Sequence, residues 1–252
     1  MLKTNFHTHI YRCGHATGNI EDYVKEAVKN GYEAIGISDH GPLPDYFFDR
    51  MSHDEIKDYL NDINEIKKKY KGQIEIYRAL ELEYFKEFHD YYIVLKKDFD
   101  YFVLGHHYYG NHKSSWHVTN EEELLIYTDE LIKAMESKIF SFVAHPDLFA
   151  CSYPVWDKNC IEASYRICRK AAELSIPLEI NANGVRKGLH HKPEGLRYKY
   201  PREEFWEIAK ECKVKVLVNS DCHHPYEFHD DAVIKAKELA NKWGIEVINH
   251  FE

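Results

Sequence analysis

The stretch "NFHTHIYRCGHA" (5–16) brings His7, His9 and His15 close together near the start of the chain. His7 and His9 form an H-x-H pair. Residues two apart on a strand point the same way, so both imidazoles can reach one ion. Similar side chains recur far along the sequence: Asp39 and His40 in "SDH", Glu81 and Glu83 in "LELE", and His106 and His107 in "GHH". His145 stands in "AHP", and Asp221, His223 and His224 in "SDCHH". Imidazoles and carboxylates without paired thiolates suit zinc, iron or manganese. A carboxylate such as Glu81 has two oxygens and can bridge two ions. So many N/O ligands exceed the needs of one ion, and the natural reading is a cluster of two or three divalent metal ions. Any one of these motifs is weak, because a histidine at a strand end is commonly satisfied by a backbone carbonyl. Their coincidence at the ends of successive apolar runs carries the reading.

Those runs are the elements that must position the ligands. Strand-like segments are predicted at 2–9, 33–40, 75–84, 100–108, 140–146, 176–184 and 214–223, rich in Val, Ile, Leu, Phe and Tyr as buried parallel strands are. Between them lie helical patterns at 19–31, 52–70, 119–137, 158–175, 201–213 and 230–244, with a weaker one at 86–97. Ser52 and Glu55 form a capping box. Seven strand-then-helix units without a linker predict a parallel sheet, wound open or closed into a barrel, and length favours a barrel spanning 1–252 as one domain. "IEVINH" is a possible eighth strand. In such barrels the carboxyl ends of the strands build the active site.

Composition narrows the function classes. The chain has 252 residues and 17 histidines, with 42 acidic against 33 basic residues and a net charge of −9, which disfavours a nucleic-acid partner. The six cysteines are scattered without a C-x-x-C pair, against a disulfide framework or zinc finger. The start lacks the apolar run of a signal peptide, and no run is long enough to span a membrane, so a cytoplasmic protein with no membrane partner is expected. His53, His89, His112, His117, His190, His191, His229 and His250 are expected to be ordinary solvated side chains. His106, His224 and Glu83 should face away or support the ligands, Asp39 should orient His40, and Cys13 should simply pack.

In their order, "HTHIYRCGHA", "SDHGP", "LELEY", "LGHHY", "AHPDLF", "EINANGVRKG" and "NSDCHHP" resemble the polymerase-and-histidinol-phosphatase (PHP) superfamily of metal-dependent phosphoesterases. "DRMS" after "HGP", the passage "KKKYKGQIEIYRALELEY" and "AHPDLF" followed by "LEINANGVRKG" make the chain most similar to the L-histidinol-phosphate phosphatases. The resemblance implies a distorted seven-stranded β/α barrel with a trinuclear site. It implies that His7, His9, Glu81 and Asp221 hold one ion, that Glu81 bridges to a second held by His107 and His145, and that His15, His40 and His223 hold the third. It also selects His107 over His106 and Glu81 over Glu83. One departure stands out: the family commonly has a basic residue shortly after "HPDLF", where this chain has Ala150, Cys151 and Ser152.

The activity expected is phosphomonoester hydrolysis of a small-molecule substrate, L-histidinol phosphate, in histidine biosynthesis. Metal-bound hydroxide would attack phosphorus, with Asp221 moving the proton. Arg186, and more weakly Arg197, are the candidates for clamping the phosphate. The alternatives are another small phosphomonoester or phosphodiester, such as a nucleotide or sugar phosphate, and a metal-storage or metal-sensing protein.

Overall fold

Seven short strands lie side by side in sequence order in the computed structural model, which describes residues 2–45 and 48–251. They are β1 (Thr4–Asn5), β2 (Ala34–Ile37), β3 (Glu75–Leu82), β4 (Tyr101–Leu104), β5 (Phe142–Val143), β6 (Leu178–Asn181) and β7 (Val216–Asn219), and every neighbouring pair is parallel. Helices follow the strands around the outside: α1 (Ile20–Lys29), α2 (Ile56–Lys69), α3 (His89–Leu95), α4 (Glu121–Glu136), α5 (Lys158–Leu174), α6 (Ala182–Arg186), α7 (Glu203–Glu211) and α8 (Asp231–Lys242). Their amino ends are capped by short polar side chains. The side chains of Asn19 and Asp22 each accept from the other's backbone amide, and Asn120, Asp157 and Asp230 accept from the first turns of α4, α5 and α8. The Ser52–Glu55 box also forms, ahead of a short 3-10 turn that leads into α2. No helix among the described residues is long and apolar enough to cross a membrane.

The sheet curls into a nearly closed α/β barrel. Near the carboxyl ends, the amide of Asp221 donates to the His7 carbonyl and that of His9 to the Cys222 carbonyl, both at 3.0 Å, linking the first and last strands. Asn5 and Asn219 stitch the same seam with their side chains, accepting from the amides of Ser220 (2.7 Å) and Phe6 (2.8 Å). The expected eighth strand is reduced to one bridge, Val216 to Val247, beside a Thr4 hydroxyl that donates to the Asn249 carbonyl. The strands are also shorter than the apolar runs suggested. Their ladders stop before most of the metal-capable residues, which therefore sit on the loops just beyond. Two features carry no period signal and were not expected: the hairpins pairing Tyr108–Tyr109 with Lys113–Ser114 and Leu189–Lys192 with Gly195–Tyr198.

Phe6, Ala34, Ala79, Tyr101, Val103, Phe142, Ala144 and Leu217 fill the barrel interior. Tyr101 reaches across it to donate to the Phe6 carbonyl at 2.6 Å, passing directly over Gly36. A Cβ on Gly36 would lie 1.6 Å from the Tyr101 hydroxyl oxygen. Gly36→Ala should therefore cost about 1–3 kcal/mol in urea unfolding, the usual penalty for overfilling a packed core. Adding Tyr101→Phe, which removes the clashing oxygen, should make the double variant less destabilised than the sum of the singles. Additive losses would show that the clash is not the cause.

Candidate metal centre

The loops beyond the seven strands converge. His7 and His9, two residues apart after β1, bring their Nε2 atoms to 3.1 Å from one another. Glu81, near the end of β3, lies between them and three other histidines. Its Oε2 is 3.3 Å from His7 Nε2, 3.4 Å from His9 Nε2 and 3.1 Å from His40 Nδ1. Its Oε1 faces His145 Nε2 at 3.5 Å and His107 Nε2 at 3.7 Å. Asp221 Oδ1 lies 3.1 Å from His9 Nε2, 3.6 Å from His7 Nε2 and 3.7 Å from His223 Nδ1. His15 completes the group, its ring 5.2 Å from that of His40 and 4.9 Å from that of His223. Backbone strain helps to aim this set: His145 and Asp221 have left-handed φ angles of 32° and 47°. All nine ligand candidates thus meet at one end of the barrel.

This donor set fits a metal cluster. Glu81 is buried, yet its Oε1, the oxygen facing His107 and His145, has no hydrogen-bond partner among the described residues. Buried polar atoms of this kind call for an explanation, and an ion is one. Electrostatics agrees. Burial opposes the charge on Glu81 and Asp221, but the surrounding histidines outweigh it and hold both carboxyls well below their usual range. Burial also opposes protonation of His7 and His9, but the neighbouring carboxylates outweigh it and raise both. His40 and His223 are pushed down mainly by burial and then by His9, His223 to about 3. Protons and neutral imidazoles are thus sharing a space that cations would satisfy better. Several ligand groups have donor atoms within one ion's reach, among them His7–His9–Glu81, His9–His40–His223 and His40–Glu81–His107.

The PHP domain model matches residues 5–183. The chain belongs to the PHP family. A histidinol-phosphatase from Bacillus subtilis is 35% identical over 98 residues, a match covering 36% of this chain and only 37% of that protein. A probable histidinol-phosphatase from Schizosaccharomyces pombe is 25% identical over 266 residues, covering 92% of this chain and 84% of that one. The solved structure of histidinol phosphate phosphatase from Lactococcus lactis, complexed with zinc, L-histidinol and phosphate, superposes with a TM-score of 0.74 at 20% identity, covering 99% of this chain and 98% of that one. Barrels of this PHP type share the fold seen here.

Around the ligands, carboxylates fix the imidazoles. Glu179, on β6, faces His7 Nδ1 at 2.9 Å and is itself held by Asn181 and Asn219. Glu83 faces His107 Nδ1 at 2.7 Å and accepts from the His107 amide at 2.7 Å. Asp39 differs from expectation: its carboxylate faces His9 Nδ1 at 3.4 Å and accepts from the Cys13 amide, touching His40 only through the backbone. Cys13 packs as expected, but its sulfur also lies within ion reach of His9 and Asp39. His106 turns into the core against the Tyr127 carbonyl at 3.0 Å, and His224 pairs with the Thr17 hydroxyl at 2.7 Å. None of the histidines expected to be solvated lines the cavity over the cluster.

That cavity has a volume of about 560 Å³. Neither candidate arginine lines it. Arg186 is half-buried beside the cavity rather than in it, its Nε donating to Asp230 at 2.8 Å and its other nitrogens to Ser220, Glu227 and Asp230. Arg197 is spent on Glu194 and on the carbonyls of Tyr198, Lys199 and Ala150. The cations on the wall are Arg50 and Lys187. Arg50 lies in the quoted "DRMS" and Lys187 is the next residue after Arg186, so the motifs held the signal without the direction. Trp116 and Tyr200, also on the wall, carried no signal at all.

Protons compete with an ion for His7 and His9: burial disfavours their charged forms, but the neighbouring carboxylates outweigh it and raise both. Metal affinity should therefore rise with pH, up to and beyond the ordinary histidine range because both groups are raised, with proton release on binding. Chelator competition at several pH values measures it. An affinity that does not change with pH would place the ions elsewhere.

Proposed function

We propose that this chain is a metal-dependent phosphomonoesterase acting on L-histidinol phosphate. The observation that carries the reading is the buried Glu81, its two oxygens facing different sets of imidazoles at the base of an open cavity. His7, His9, Glu81 and Asp221 would hold one ion, Glu81, His107 and His145 a second, and His15, His40 and His223 a third. When bound, such ions neutralise phosphate oxygens and lower the pKa of water toward about 7. The Lactococcus protein, solved with zinc, L-histidinol and phosphate, and the match to the yeast relative along most of the chain support this substrate.

The chain's own residues then have separate tasks. Asp221 Oδ2 accepts from Asn181 (3.0 Å) and Asn183 (3.2 Å), which leaves Oδ1 on the cluster side as the atom placed to take the proton of an attacking water. Glu227 is engaged with the amides of His223 and His224. Asp49 lines the cavity, makes no hydrogen bond to another described residue, and is the carboxylate available to the ammonium of an amino alcohol. A metal-storage role fits less well, since such sites close their coordination and this cluster opens on a cavity walled by Lys187, Trp116 and Tyr200.

Phosphate release from L-histidinol phosphate, set against a panel of sugar phosphates, nucleotides and diesters, tests the reading. The metal-loaded protein should favour L-histidinol phosphate and lose activity to a chelator. Asp221→Asn should lower kcat by about 10²–10⁴-fold, the usual share of a proton-transfer group, while keeping some metal. A preference for another ester in the panel would assign the chain a different substrate.

A further inference from the structure

The segment that joins β7 to α8, residues 220–230, carries Asp221 and His223 yet has little regular structure of its own. It contains a 3-10 turn at Pro225–Glu227 and a single bridge from Cys222 to Thr8. All three guanidinium nitrogens of Arg186 donate into it. Nη1 reaches the Ser220 carbonyl (3.3 Å), Nη2 the Ser220 hydroxyl (3.3 Å) and the Glu227 carbonyl (3.1 Å), and Nε the Asp230 carboxylate (2.8 Å). Ser220 and Asp230 are the two ends of the segment, so one side chain ties them together. A planar fork of five donors suits acceptors spread in this way, whereas an ammonium would satisfy one end and leave the other. Asp230, which also caps α8, and Glu227, with Oε1 3.9 Å from Nε, supply the countercharge that lets a cation sit beside a metal centre.

The tie reaches the metal ligands through Glu227. Its Oε2 accepts from the amides of His223 (2.9 Å) and His224 (3.1 Å), and its carbonyl accepts from Ser220 Oγ (2.8 Å) as well as from Arg186. The His223 carbonyl in turn accepts from the Thr17 amide at 2.8 Å, next to the stretch that carries His15. Asp221 depends less on this arrangement. Its amide donates to the His7 carbonyl, and its Oδ2 accepts from Asn181 and Asn183. Slack at the base of the segment therefore falls first on His223. The short helix α6 is the common support, with Asn183 orienting Asp221 and Arg186, its last residue, holding the base.

We propose that Arg186 is a positioning residue for the metal centre: by tying Ser220 to Glu227 and Asp230, it holds His223 where it can share an ion with His15 and His40. The inference rests on the three-ion assignment given above, but its test does not require turnover. The probe is zinc, titrated into the metal-stripped full chain against a competing chelator, with the metal content per chain measured directly. Arg186→Met should weaken one ion by about 10–100-fold, the usual effect of removing an outer support of a metal ligand, and leave the others as they are. His223→Ala should weaken the same ion. Adding Arg186→Met to it should cost nothing further, because both act through one ligand. Arg186→Lys should restore only part of the affinity. Asp230→Asn keeps an oxygen to cap α8, so it carries the test with a smaller weakening if the methionine variant does not fold. Inorganic phosphate, titrated into the zinc-saturated variants, should bind as it does to the unaltered chain. Zinc held equally well by Arg186→Met, or by Asp230→Asn where that variant stands in, overturns the proposal. So does phosphate binding lost with all zinc retained, which would make Arg186 an anion ligand, and so does equal weakening of every ion together with a lower melting temperature. An unaltered chain that takes up no zinc would overturn the metal-centre reading itself, and this inference with it.

Discussion

A carboxylate shut away from water needs positive charge close at hand, and Glu81 finds it among imidazoles. It is 1% exposed, and five histidines from four loops present nitrogens within 3.1–3.7 Å of its two oxygens. The barrel is arranged so that this geometry holds. Parallel pairing sets Glu81 beside Val103 on one side, and a single bridge sets it beside His40 on the other. Gly105 has to stay bare, because a Cβ there would come within 2.8 Å of the His107 ring and 2.9 Å of Glu81 Oε1. If the register of β3 slipped by one residue, Glu81 would point away from the centre and Leu80 or Leu82 would take its place.

The seam between the first and last strands matters for the same reason. His7 and His9 come from one side of it and Asp221 and His223 from the other, so its closure decides whether half the ligands meet. Two asparagine amides and two backbone hydrogen bonds close it. Glu179 extends the polar layer under His7, tied to Asn181 and Asn219 on the strands either side of the β6–β7 pairing. Polar groups at this depth stabilise the barrel only when all are satisfied, and together they specify one closed arrangement.

Much of this was legible in the sequence, because it rests on periodicity. Apolar runs marked all seven strands, helical spacing and the Ser52 cap marked every helix but α6, whose start lay inside the apolar run 176–184, and histidines at the ends of the runs marked the mouth of the barrel. Direction was harder to read. Arg186 and Lys187 are neighbours in one motif, and only the turn after α6 decides that the first faces Asp230 and the second faces the cavity. Asp39 is next to His40 in sequence but across from His9 in space. The carboxylate under His7 was invisible as well: Glu179 sits inside a buried strand, where its spacing resembles that of any polar residue. The short hairpins carry too few residues for a period to show.

The foot of the barrel has its own stopper. Phe251 lies edge-on to Phe6 with ring centres 4.8 Å apart, and touches Tyr101 and Phe142 as well. Phe6 immediately precedes His7. A plug of edge-on and tilted aromatic rings therefore packs the hollow beneath the imidazoles, and the cavity at the mouth is where reactants meet them.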